Sequence, residues 1–175
     1  MGLSLSWDNP TFFQMDNNPT LIIGLGNPIL GDDGVGWVVA QEVKERLTDR
    51  ADLEFDFLSL GGLSLMERLT GYQKVILIDA LSTGKYPSGE VVTFPLNSII
   101  DLTAGHSSSA HDTSLRNALN VGRSMNIDLP ENENITVVAV EAANVYNFTK
   151  ELSPSVANAV PVAVNIVLDL LSSPL

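Results

Sequence analysis

Cysteine is absent from the 175-residue sequence, and basic residues are scarce. Without cysteine the chain cannot form disulfides, thiolate metal sites or a cysteine nucleophile, so oxygen or imidazole must hold any metal. Only nine lysines and arginines stand against 21 acidic residues, which gives a formal net charge of −12. Because binding to a phosphate backbone needs clustered positive charge, we expect no nucleic-acid partner.

Long uninterrupted apolar runs are also missing from the sequence. A membrane-spanning helix needs about twenty mainly apolar residues, and no apolar run reaches that length. The N-terminal residues lack the basic segment and following apolar segment of a secretory signal. With cysteine absent as well, we expect a cytoplasmic protein without a membrane span.

Apolar runs alternate with segments of helical spacing once residue 20 is passed. We predict an N-terminal extension over residues 1–19 and a single domain over 20–175. The patterns predict strands at 21–25, 53–58, 74–80, 91–94 and 135–140, and helices at 35–47, 63–69, 112–125 and 154–171. Pro161 inside the last helix predicts a kink or an early break.

The strands are mostly continuous apolar runs, as in sheets that are covered on both faces. This order predicts an α/β fold, a three-layer sandwich with a mostly parallel twisted sheet between helices. The strand at 91–94 follows its predecessor without an intervening helix, so it is a possible antiparallel edge strand. In such a sheet, ligands bind at the carboxyl ends of the strands.

The stretch LIIGLGNPILGDDGVG, residues 21–36, predicts a strand, a tight glycine-rich loop and the start of a helix. Its glycines do not complete the dinucleotide-binding pattern, because Ile29 occupies the position of the third glycine. Two carboxylates follow the loop. We predict that Asp32 caps the helix and contributes about 1 kcal/mol, while Asp33 points elsewhere.

Three further polar residues are candidates for chemistry. Asp79 ends the most apolar strand, which places it at the carboxyl edge of the sheet beside Asp33 if the two strands are neighbours. His106 and His111 are the only histidines, and His111 precedes a predicted helix. Asp33, Asp79 and one imidazole would form a set of two oxygen ligands and one nitrogen ligand, which suits a borderline divalent metal.

The motifs resemble those of the hydrogenase maturation endopeptidases, which process [NiFe] hydrogenases. The resemblance rests on GLGNPILGDDGVG, VILIDA, SSAHDTSL and VEAANVYNFTKELSPSV, and it covers residues 21–172 in order. It implies an α/β fold and hydrolysis of one peptide bond near the C-terminus of the hydrogenase large-subunit precursor after nickel insertion. It also implies that Asp33, Asp79 and His111 are the metal-contacting and catalytic residues, and that nickel arrives with the precursor.

One position departs from the family pattern. Many relatives carry Asp-Gly-Gly after the second strand, in a loop linked to substrate choice, whereas this chain has Leu60, Gly61 and Gly62. The departure leaves the processed hydrogenase open and weakens the case for a catalytic acid there. Ser59 is the nearest polar residue.

Two alternatives to a nickel-dependent endopeptidase stay open. A peptidyl-tRNA hydrolase also begins with a segment similar to LIIGLGNP, but it needs a histidine soon afterwards, and the first histidine here is His106. The strong acidity also argues against a tRNA substrate. The other alternative is a non-catalytic binder or chaperone of the hydrogenase precursor that uses the same acidic cleft.

Overall fold

The computed structural model describes residues 19–101 and 110–172, with the side chains at 99–101 and 110–114 left out. The predicted extension, apart from Pro19, lies outside these residues, as does His106. The division into an extension and a domain therefore stays a prediction.

Within the described residues, five strands form one sheet in the order β2-β1-β3-β5-β4. Neighbouring strands are parallel except β4, which pairs antiparallel with β5 at one edge, as predicted. The strand bounds agree with the prediction to within one residue at each end: β1 Thr20–Leu25, β2 Leu53–Leu58, β3 Lys74–Leu81, β4 Val91–Pro95 and β5 Ile135–Glu141.

Four helices of the described chain cover the two faces of the sheet. They are α1 Val35–Arg46, α2 Gly62–Arg68, α3 Ala110–Ser124 and α4 Pro154–Ser172. Alternate residues of β1 separate the two cores, since Leu21 and Ile23 pack towards α2 and α3, whereas Ile22 packs towards α1 and α4. The predicted three-layer α/β fold is confirmed.

Two glycines let α1 approach the sheet closely. A Cβ at Gly36 would lie 2.3 Å from the carbonyl oxygens of Ile78 and Leu25. A Cβ at Gly24 would lie 2.5 Å from the carbonyl oxygen of Gly36. Glycine at both positions therefore allows the first turn of α1 to pack directly against β1 and β3.

The predicted early break at Pro161 does not occur, since α4 continues to Ser172. Proline lacks an N–H group, so the carbonyl of Ala157 loses its donor within the helix. Both residues are exposed, and water can reach that carbonyl. The exposed position explains why the helix tolerates this proline.

Among the described helices, α4 alone is long and apolar enough to cross a bilayer by length and composition. A helix that packs in a protein core can meet the same criteria. One face of α4 is buried in the core that it shares with α1, through Val156, Ala159, Val160, Ala163, Val164 and Val167. We attribute its apolar composition to this packing.

Candidate active site

An open cleft of about 270 Å³ lies at the carboxyl ends of β1 and β3. Asp33 and Asp79 both line it, although they are far apart in sequence. β1 and β3 are parallel neighbours, so their carboxyl ends lie side by side. The predicted proximity of Asp33 and Asp79 depended on this arrangement. The other lining residues are Leu25, Gly26, Asn27, Leu30, Ser59, Leu60, Ala80, Val145 and Tyr146.

Asp33 lies in a 3₁₀ turn, Gly31–Gly34, between β1 and α1. Its carboxylate Oδ2 accepts a hydrogen bond from the backbone N–H of Asn27 at 2.6 Å. Gly26, with φ +115°, makes room for this turn, since a Cβ there would lie 1.8 Å from the carbonyl oxygen of Asp33. The loop geometry thus orients the half-buried carboxylate on the wall of the cleft.

Asp79 lies near the end of β3, where its partner in β5 is Ala139. The β1–β3 register ends one residue earlier, at the pair of Gly24 and Ile78. The half-buried carboxylate therefore lies where the sheet opens into the cleft, and its Oδ1 accepts a hydrogen bond from the N–H of Ala80 at 2.8 Å.

His111 lies in the first turn of α3, which begins at Ala110 and so two residues earlier than predicted. His111 lies at the end of this 15-residue helix opposite Ser124, from which the chain continues to β5. Its side chain lies outside the described part of the structure. Among the described side chains no group of three metal ligands converges, so the predicted triad stays a prediction.

Asp32 does not cap the helix, and this prediction was wrong. Its side chain is fully buried and makes no capping hydrogen bond. Oδ1 accepts from the N–H of Ser153 at 2.6 Å, and Oδ2 accepts from the Ser153 hydroxyl at 2.9 Å and from the N–H of Asn144 at 3.3 Å. Asp32 therefore links the segment before α4 to the loop between β1 and α1, here called the cleft loop.

Glu141, the last residue of β5, is a buried carboxylate that sequence reasoning missed. One oxygen accepts from the N–H groups of Thr83 and Gly84 at 2.8 and 2.7 Å, and the other accepts from the Thr83 hydroxyl at 2.8 Å. An acid at the end of an apolar strand was the same signal that identified Asp79. Glu141 uses its position to hold the loop that follows β3.

The loop after β2 contributes Ser59 and Leu60 to the cleft. The hydroxyl of Ser59 donates a hydrogen bond to the carbonyl of Gly26 at 2.7 Å, so it braces the glycine-rich loop. Leu60, where the resemblance leads us to expect an aspartate, is 42% exposed. This wall of the cleft therefore presents an apolar side chain instead of an acid.

Solved structures of hydrogenase maturation proteases share this fold. The endopeptidase HybD from E. coli is 22% identical, with a TM-score of 0.71 over 87% of this chain and 91% of that one. The [NiFe] hydrogenase maturation protease HybD from Thermococcus kodakarensis is 26% identical, with a TM-score of 0.65 over 87% and 98%. HycI from T. kodakarensis KOD1 is 19% identical, with a TM-score of 0.59 over 89% and 94%. No curated protein sequence matches.

A family profile described as HycI, hydrogenase maturation protease, matches residues 37–170, which is well over half of the chain. The matched segment includes Asp79 and His111 and begins after Asp33. It agrees with the resemblance drawn from the sequence motifs and not with the peptidyl-tRNA hydrolase alternative. The chain belongs to the hydrogenase maturation protease family.

Proposed function

We propose that this protein is an endopeptidase that removes the C-terminal extension of a [NiFe] hydrogenase large-subunit precursor after nickel has been inserted. One observation supports this proposal above the others. Asp33, from the turn that follows β1, and Asp79, from the end of β3, line a single open cleft in a chain that belongs to a maturation protease family.

In this proposal Asp33, Asp79 and His111 contact the nickel ion that the precursor carries. Two carboxylates and an imidazole suit a borderline divalent cation and leave coordination positions for the precursor's own ligands. The nickel is therefore part of the substrate. A divalent metal held between enzyme and precursor can polarise the scissile carbonyl or lower the pKa of a bound water.

The protein's own contribution is to hold the acids in place before the substrate arrives. Backbone N–H groups of Asn27 and Ala80 each contact one carboxylate oxygen, of Asp33 and Asp79 respectively. These bonds fix the orientation of both side chains at the cleft wall. Preorganised ligands of this kind reduce the cost of ordering the site when the substrate binds.

The decisive experiment uses nickel-loaded and nickel-free large-subunit precursors from the same organism. Incubation with the protein should shorten only the loaded precursor, which intact-mass measurement detects as loss of the C-terminal peptide. Asp33→Asn, Asp79→Asn and His111→Ala should each lower the rate at least about 100-fold, a typical loss when a metal-contacting or acid–base group is removed.

Matched variants separate a chemical role from a structural one. Glu42→Gln changes a partly exposed acid on α1 that pairs with Arg46 and does not line the cleft, and it should cleave at the wild-type rate. Binding of the loaded precursor without any cleavage would support the chaperone alternative instead. Full activity in any one cleft variant would remove that residue from the proposed site.

A further inference from the structure

Two exposed aromatic side chains stand beside the cleft and make no contribution to the fold described above. Tyr146 is 80% exposed and Phe148 is 85% exposed, the highest values among the large apolar side chains that the structure describes. They lie on the loop between β5 and α4, here named the 144–149 loop. Exposed apolar patches on a protein commonly mark a binding surface.

The backbone of the 144–149 loop is fastened to the cleft loop. Thr149 forms a parallel bridge with Leu30, in which the N–H of Gly31 donates to the Thr149 carbonyl at 2.7 Å. The N–H of Thr149 in turn donates to the Ile29 carbonyl at 3.1 Å. The position of Phe148, next to Thr149, is therefore fixed beside the Ile29 segment.

The buried carboxylate of Asp32 also holds the 144–149 loop in place. It accepts hydrogen bonds from Asn144, at the start of the loop, and from Ser153, four residues beyond its end. The loop therefore presents its two aromatic rings from a backbone that is tied at both ends. A surface that is ordered in advance loses less conformational entropy when a partner binds.

The loop is continuous with the proposed substrate site, since Val145 and Tyr146 line the cleft together with Asp33 and Asp79. The cleft is open and has a volume of about 270 Å³, which is far less than a folded polypeptide occupies. A protein substrate must therefore lie partly on the rim. Leu60 and Tyr146 line the cleft and are exposed. Ile29 and Phe148 are also exposed and adjoin the bridged pair Leu30 and Thr149. These four uncharged side chains are here called the rim.

We propose that Tyr146 and Phe148 bind an apolar segment of the precursor polypeptide next to its scissile bond. The inference rests on the proposed function, and it names the surface that would recognise the precursor polypeptide. The four rim side chains offer apolar surface and no carboxylate, so they suit an apolar segment of the precursor. Aromatic side chains are also the residues that most often dominate binding energy at protein interfaces.

The test is steady-state cleavage of the nickel-loaded precursor by a Tyr146→Ser/Phe148→Ser double variant. The expected result is a KM about 30-fold higher than that of the wild type, the loss typical of an interface hot spot. The exchange variant Tyr146→Phe/Phe148→Tyr keeps both rings and should retain a KM close to the wild-type value.

The matched control is Val121→Ser/Met125→Ser, which removes two apolar side chains that are 51% and 66% exposed. They lie at the end of α3 from which the chain enters β5, away from the carboxyl edge. The control should leave KM unchanged. A wild-type KM in the Tyr146/Phe148 serine variant would overturn the inference alone, whereas no cleavage or binding by the wild type would overturn the proposed function and the inference with it.

Discussion

Carboxylates are held in different ways at the carboxyl edge of the sheet and on the flank formed by β2 and α2. At the edge, Asp32 and Glu141 are buried and accept hydrogen bonds from backbone N–H groups and hydroxyls. On the flank, Glu54 and Asp56 of β2 form ion pairs with Arg68 of α2, and these side chains are 28–48% exposed.

The comparison separates geometry from charge as the source of stability. A buried carboxylate whose two oxygens both accept from backbone N–H groups cannot be exchanged for an amide without leaving a donor unpaired. A partly exposed ion pair gains little, because water and salt screen it. We therefore expect substitutions at the edge to cost more stability than substitutions on the flank.

Asp32→Asn should produce the largest loss of stability. Whichever way the amide turns, its NH₂ group faces a backbone N–H, of either Ser153 or Asn144, which cannot become an acceptor. We expect a fall of about 3 kcal/mol in the free energy of unfolding, measured by urea titration.

The adjacent residue provides the control for that substitution. Asp33→Asn keeps an oxygen that can accept from Asn27, at a half-buried position, so its loss should stay below about 0.5 kcal/mol. Equal losses in the two variants would show that the buried acid is not the anchor inferred here.

Glu141→Gln should cost less than Asp32→Asn, although both substitutions replace a buried carboxylate by an amide. The amide oxygen of the glutamine can accept from the N–H groups of Thr83 and Gly84, while its NH₂ group donates to the Thr83 hydroxyl. Because the Thr83 hydroxyl can accept a hydrogen bond as well as donate one, every donor keeps a partner. We expect a loss of about 1 kcal/mol in a urea titration. A loss as large as that of Asp32→Asn would contradict this explanation.

Much of the fold could be predicted because its signals are local. Apolar runs, continuous in most of the strands, identified all five described strands, and the missing helix before Val91 identified the antiparallel edge. The proximity of Asp33 and Asp79 followed from a general rule, since parallel strands end at the same edge of a sheet.

The role of Asp32 could not be predicted, because its partner Ser153 is 121 residues away in the sequence. From the local sequence alone, the only role predicted for the Asp32 carboxylate was to cap the adjacent helix. Glu141 was missed for the same reason, since Thr83 lies 58 residues from it. Local patterns thus located Asp32, Asp33 and Asp79 at the edge of the sheet but could not separate the structural acid, Asp32, from the two that line the cleft.

Arg68→Met tests the flank side of the comparison. The methionine keeps an apolar stem over the Tyr72 ring, which the guanidinium carbon now covers at 4.9 Å from the centroid, but it removes the pairs with Glu54 and Asp56. We expect a loss below about 1 kcal/mol at low salt, and a smaller one in about 1 M salt, where charges are screened within about 3 Å. Urea titrations at both salt concentrations measure the difference. A large loss that does not depend on salt would mean that geometry dominates on the flank as well.

Tyr72→Phe should have a small effect on stability, and that effect should depend on pH. The Tyr72 hydroxyl donates to Glu54 at 2.5 Å. Burial and this carboxylate raise the pKa of Tyr72 above its usual value of about 10, and the Arg68 cation opposes them. A raised pKa in the folded state means that the neutral phenol is the favoured form there.

The stability that Tyr72 contributes is therefore fully present below about pH 10 and is lost as the pH rises through the folded-state pKa. Paired urea titrations of the wild type and Tyr72→Phe should show an advantage for tyrosine of up to about 1 kcal/mol near neutral pH. That advantage should shrink by about pH 11, because the phenolate then faces Glu54. An advantage that grows with pH would indicate that Arg68 controls the Tyr72 hydroxyl, and that the flank depends on its cation more than on burial.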